Sequence, residues 1–171
     1  MKSIKCVNSL SFILLSVTLF LGFGCGKKDE KVTKEVSVES SVLAVTDRII
    51  IESHDNMKYS VDLFKVNKGQ SFDLTLKNLG TLPKRVMQHN WVLLAQGVDP
   101  DEFSLNAMTQ VKTGYLPPIP DPQVLAHTKM LGTKESDTIT IKAPSKPGKY
   151  PFVCTFPGHC ASGMKGILEV L

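Results

Sequence analysis

"CTFPGHCASGM", Cys154–Met164, runs straight into "KGILEVL" at the end of the chain, and the reading of the fold turns on it. A thiol, an imidazole and a thioether fall close together there, with Pro157 and Gly158 between them. Upstream, "GKYPFVCTF" is a run of β-favouring residues that reaches Cys154; downstream, "KGILEVL" starts just after Met164. Cys154, His159 and Met164 are therefore expected on one loop held between two strands, with Pro157 and Gly158 fixing and turning it.

Working outward, the same texture extends back to about Ala44. "DRIIIES", "MKYSVDLFKV", "QSFDLTLKNL", "HNWVLLA" and "DTITIKAP" are short runs rich in Val, Ile, Phe, Tyr and Thr. Phe72, Leu74 and Leu76 alternate with Asp73, Thr75 and Lys77, and Ile139 and Ile141 alternate with Thr138, Thr140 and Lys142. A period of two predicts half-buried antiparallel strands. Turn residues at "NKG", "NLGTLPK" and "PSKPGK" separate the runs. Residues 44–171 are thus expected to form one all-β domain, a sandwich or barrel, with Trp91 in its core. Residues 96–126 break the rhythm with five of the ten prolines and a helix-compatible piece, "DEFSLNAMTQ". They predict a flap carrying one short helix.

The start of the chain has another character. Lys2 and Lys5 precede an uncharged apolar run, Leu10–Phe23, shorter than the about 20 residues a spanning helix needs but suited to an export signal. Small residues then lead to Cys25, in a pattern that resembles a bacterial lipoprotein signal. The expectation is a signal over 1–25, lipidation at Cys25, a charged Ser/Thr-rich tether over 26–43, and a periplasmic or other extracytoplasmic location at a membrane. The formal charge is +4, of which Lys2 and Lys5 supply two. Charges are interleaved, which argues against nucleic acid as a partner.

Outside the targeting segment only Cys154 and Cys160 remain. A disulfide between them would close a ring too small to stabilise much. Thiolate and thioether are soft ligands, and two imidazoles with one thiolate and a weak axial thioether make the blue-copper type of site. The terminal loop lacks one imidazole. Among His54, His89 and His127, position at the start of a strand favours His89 and leaves the other two open. Cys160, one residue past His159, is expected to point away from the metal as a free thiol.

"DNM", "LPK", "VM" before "HNWVL", "AHTK" and "CTFPGH" followed by Met and "KG" resemble the azurins, blue-copper proteins of the cupredoxin family, in order from about Val45 to Leu171. The resemblance implies a Greek-key cupredoxin β-sandwich and one copper held by His89, Cys154, His159 and, axially, Met164. It implies that the N–H groups of Asn90 and Phe156 meet the cysteine sulfur and that Asn90 and Thr155 tie the ligand loops together. It further implies an apolar docking face of Met57, Leu82, Met87, Phe156 and Pro157 around His159, where a redox partner, a cytochrome or copper enzyme, would exchange electrons. Gln88 stands where azurins have Gly, so four-coordination is expected. Four residues separate His159 from Met164, as in auracyanin, and Gly69 lies near where azurins have a cysteine. An electron carrier rather than an enzyme is expected; a nitrite reductase would need a second histidine set. A copper-delivery lipoprotein without redox role is the alternative.

Overall fold

The computed structural model describes residues 46–171. The expectations for the signal over 1–25, Cys25 and the tether over 26–43 lie outside the described residues. Eight strands form two sheets: β1 (Arg48–Ser53), β2 (Leu63–Val66), β3 (Ser71–Asn78), β4 (Val92–Leu94), β5 (Val124–His127), β6 (Ser136–Lys142), β7 (Gly148–Val153) and β8 (Lys165–Val170). One sheet runs β1-β3-β6 and the other β2-β8-β7-β4-β5.

Alternation in the sequence becomes alternation in burial. Phe72, Leu74 and Leu76 on β3 are buried, and Leu74 faces Ile139 of β6 in an antiparallel ladder. Two other pairs run parallel, against the antiparallel expectation: Ile49 of β1 lies beside Leu74, and Phe64 of β2 beside Leu168 of β8. A half-buried strand carries the same period-two pattern whichever way its neighbour runs, so the pattern could not separate them.

Between the sheets lies an aromatic centre. Phe64 stands 6.1 Å from Phe72, 6.4 Å from Trp91 and 5.7 Å from Phe152, centroid to centroid, in tilted or edge-on contacts. Gly166, in the "KG" pair after Met164, lets β8 pass close to this centre. A Cβ there would fall 2.3 Å from the carbonyl oxygen of Asp62 and from the Phe152 ring.

β4 reads as an unbroken apolar run because both its faces are covered. Trp91 and Leu93 enter the sandwich core, whereas Val92 and Leu94 join Phe103, Ala107, Leu116, Val153 and Cys160 in a second cluster. Helix α1 (Pro100–Ala107) closes that second cluster. Asp99 caps it by accepting from the N–H groups of Asp101 and Glu102, and Pro100 occupies the first turn, where its missing N–H costs nothing. The helix stops before the expected Gln110. Thr109 and Gln110 donate their N–H groups three residues back, to Asn106 and Ala107, and Thr109 turns its hydroxyl to the Asn106 carbonyl.

β5 occupies the end of the expected flap. Prolines hide it in sequence, and as an edge strand it pairs only with β4, through an irregular register at Leu93/Leu94. His127 is the last residue of β5.

Truncating Phe64 to Ala should cost about 3–5 kcal/mol of unfolding free energy in a urea titration, as a buried aromatic at the meeting point of both sheets. Leu105→Ser on the exposed face of α1 should change it by less than about 0.5 kcal/mol.

Candidate metal centre

Three loops meet at one end of the sandwich. His89 stands three residues before β4 and is fixed by paired main-chain bonds with Leu131, at 3.0 and 2.8 Å. Cys154 follows β7, and His159 and Met164 occupy the turn before β8. One ligand atom from each of His89, Cys154 and His159 lies within 4.8 Å of the others, and all three residues are buried. The two imidazole centroids are 4.9 Å apart, and Cys154 Sγ is 3.4 Å from His159 Nδ1. Met164 is fully buried beside them; its N–H donates to the His159 carbonyl at 2.9 Å, and its own carbonyl accepts from the Cys154 N–H at 3.0 Å.

Both ring nitrogens of His89 are buried without a hydrogen-bond partner. Leaving a polar group so costs about 1–3 kcal/mol unless something else meets it. An imidazole with free nitrogens beside a buried thiol and a second imidazole is the arrangement a soft transition metal would satisfy, so the residues fit copper.

Surrounding hydrogen bonds hold this geometry. Asn90 Nδ2 donates to Thr155 Oγ1 at 2.8 Å, and the Thr155 N–H donates to Asn90 Oδ1 at 2.9 Å. The Tyr59 hydroxyl donates to the Asn90 carbonyl at 2.5 Å. The N–H groups of Asn90 and Phe156 meet the Cys154 sulfur and lower its pKa, but burial outweighs them and pushes the thiol up to about 12. Burial brings His89 down to about 4, the nearby Asp55 carboxylate partly opposing it; His159 also falls to about 4, through burial and then the charge of His89. The metal-free pocket is consequently neutral at pH 7.

The candidate docking residues are unequally exposed. Leu82 is 41% exposed, Met57, Phe156 and Pro157 are partly buried, and Met87 is buried. His159 itself is only 2% exposed, with the Phe156 ring 4.8 Å from it and Tyr115 5.4 Å beyond. Asp55, which the sequence did not single out, binds two of the rim loops together. Its carboxylate accepts from the N–H and hydroxyl of Thr81, both at 2.8 Å, and from the Leu82 N–H at 3.3 Å. A side chain on Gly80 would collide with it, its Cβ falling 2.4 Å from Asp55 Oδ1. Lys58 reaches the Ser162 carbonyl at 2.5 Å and so ties the ligand turn to the same rim.

The remaining candidates contribute no ligand atom to the cluster, although the His54 main chain and ring lie close enough to act on His89. His54 is exposed, and His127 is partly buried with Nδ1 3.1 Å from the Thr128 carbonyl. Cys160 is a free, buried thiol facing α1. The side chain of Gln88 donates to the Lys84 carbonyl at 2.6 Å.

Residues 45–171 match the family of copper binding proteins described as plastocyanin/azurin. The azurin of Pseudomonas fluorescens biotype C is 37% identical over 127 residues, which is 72% of this chain and 97% of that protein. Outer membrane protein H.8 of Neisseria gonorrhoeae is 40% identical over 114 residues, 65% of this chain and 61% of that one. Among solved structures, dithionite-reduced auracyanin of the photosynthetic bacterium Roseiflexus castenholzii has a TM-score of 0.67 and 37% identity, covering 74% of this chain and 98% of its own. The chain belongs to the plastocyanin/azurin family of copper-binding proteins. Its fold is the Greek-key cupredoxin sandwich, its cofactor is one copper per chain, and its class is that of blue-copper electron-transfer proteins.

The pKa shifts set two expectations. In metal-free protein the histidines sit near 4 folded, against 6.5 ordinarily. The unfolded chain takes up those protons first, so the stability present above about pH 6.5 should decline as pH falls towards 4. Urea midpoints across that range measure it; a flat profile would contradict it. Copper uptake at pH 7 should release one proton, that of the Cys154 thiol, in an unbuffered titration.

Proposed function

We propose that this protein is an electron carrier in which His89, Cys154, His159 and Met164 would hold copper. The observation that carries the reading is the buried convergence of His89, Cys154 and His159, with both His89 nitrogens unpartnered. Bound there, copper supplies one-electron chemistry, cycling between Cu(II) and Cu(I).

The protein's contribution is to keep those groups still. The Asn90–Thr155 pair locks the His89 loop to the Cys154 loop, and the Met164 N–H locks the end of the ligand turn to His159. N–H groups of Asn90 and Phe156 take up negative charge at the sulfur without needing to move. Burial of His89, Cys154, His159 and Met164 keeps bulk water from the ligand atoms. Phe156, in tilted contact with His159, and the exposed Leu82 give the nearby surface an apolar character that a redox partner, a cytochrome or copper enzyme, can approach without stripping water from charges.

The export-type segment before Cys25 supports lipidation there and a tethered, extracytoplasmic domain. A relative named as an outer membrane protein agrees with that placement.

Copper(II)-loaded protein should be intensely blue and should cycle reversibly by voltammetry. Cys154→Ser should abolish the colour and Cys160→Ser should retain it. A colourless Cu(II) complex of the unaltered chain would reject the reading.

A further inference from the structure

Two residues that directly follow the proposed ligands of the terminal turn meet on one carboxylate. Cys160, next to His159, directs its thiol to Asp101 Oδ1 at 3.3 Å and to the Pro100 carbonyl at 3.5 Å. Lys165, next to Met164, donates Nζ to Asp101 Oδ1 at 2.8 Å and Oδ2 at 2.6 Å. Asp101 lies in the first turn of α1, whose start is fixed by the Asp99 cap. Between its two anchored neighbours the turn is bonded to itself: Ser162 N–H to the Gly158 carbonyl at 3.0 Å, Gly163 to Cys160 at 2.8 Å and Met164 to His159 at 2.9 Å. These bonds set its internal shape, and Lys58 on the Ser162 carbonyl is one outside reference for its orientation.

We propose that Asp101 is a second reference, a positioning residue that holds the ligand turn from His159 to Met164 against helix α1. The inference rests on reading His159 and Met164 as ligands, and it gives the acidic first turn of α1 a function beyond helix stability. The Lys165–Asp101 pair is half exposed, with side chains 37% and 55% accessible, so its net contribution to folding is small. Its effect is geometric. A cleft of about 360 Å³ between α1 and the turn, lined by Asp101, Leu105, Met108, Phe156 and Lys165, leaves room for the turn to shift if the anchor is lost.

The test compares full-length Asp101→Ala, Asp101→Asn and Lys165→Met with Glu169→Gln, which breaks the Lys65–Glu169 ion pair on β2 and β8. In metal-free protein, amide exchange at Gly163 and Met164 should quicken several-fold in Asp101→Ala, with the urea midpoint close to that of Glu169→Gln. Asp101→Asn, which keeps an acceptor oxygen, and Lys165→Met should show smaller changes in the same direction. Copper-loaded Asp101→Ala should stay blue but release copper to a chelator about tenfold faster, with an altered electron paramagnetic resonance spectrum. Wild-type exchange at Gly163 and Met164 would overturn the proposal, as would quickening spread evenly over the whole domain. If the unaltered chain bound copper without turning blue, the electron-carrier reading would fail, and the exchange measurements would still decide whether Asp101 anchors the turn.

Discussion

Two hydrogen bonds between Asn90 and Thr155, at 2.8 and 2.9 Å and both buried, join parts of the chain 65 residues apart. Asn90 follows His89 and Thr155 follows Cys154, so this reciprocal amide–hydroxyl and N–H–amide pair sets the distance between the first imidazole and the thiol. Each group satisfies the other where water cannot, and an apolar replacement on one side would strand its partner. The sandwich supplies the rest of the leverage. β4 and β7 are neighbours in one sheet, with Val92 opposite Val153, so both residues leave adjacent strands at the same end.

Burial at that end acts in two ways. It keeps imidazoles and thiol uncharged in the absence of metal, and it leaves the His89 ring without a hydrogen bond of good geometry, the His54 main chain being near it. The fold thereby stores an unsatisfied pocket that metal binding relieves. Stability of the metal-free domain rests on the Phe64–Trp91–Phe152 centre and the second cluster under α1. Cys154 and Met164 are buried members of that same central core, so the site and the sandwich share packing.

The candidate ligand turn stood out because its chemistry is local: thiol, imidazole and thioether stand within a few residues, between two runs of β-favouring residues. His89 needed the family resemblance, since position alone left His54 and His127 open. Pairing direction was not legible for β1 with β3 or β2 with β8, because burial alternates identically in both geometries. β5 was masked by the prolines before it. Asp55, Lys58, Tyr59 and Asp101 escaped notice for a different reason. Each acts through a contact with a distant loop, and a polar residue in a turn or on an exposed helix face carries no periodic signal of its partner. Asp101 left one trace, in that Cys160 and Lys165 each come one place after a candidate ligand.

The most direct measurement is X-ray absorption at the copper edge of the loaded protein, oxidised and then reduced. A copper held as described predicts one short sulfur and two nitrogen neighbours in both states, with little change between them. A shell of oxygen and nitrogen without sulfur, or one that rearranges on reduction, would contradict the account.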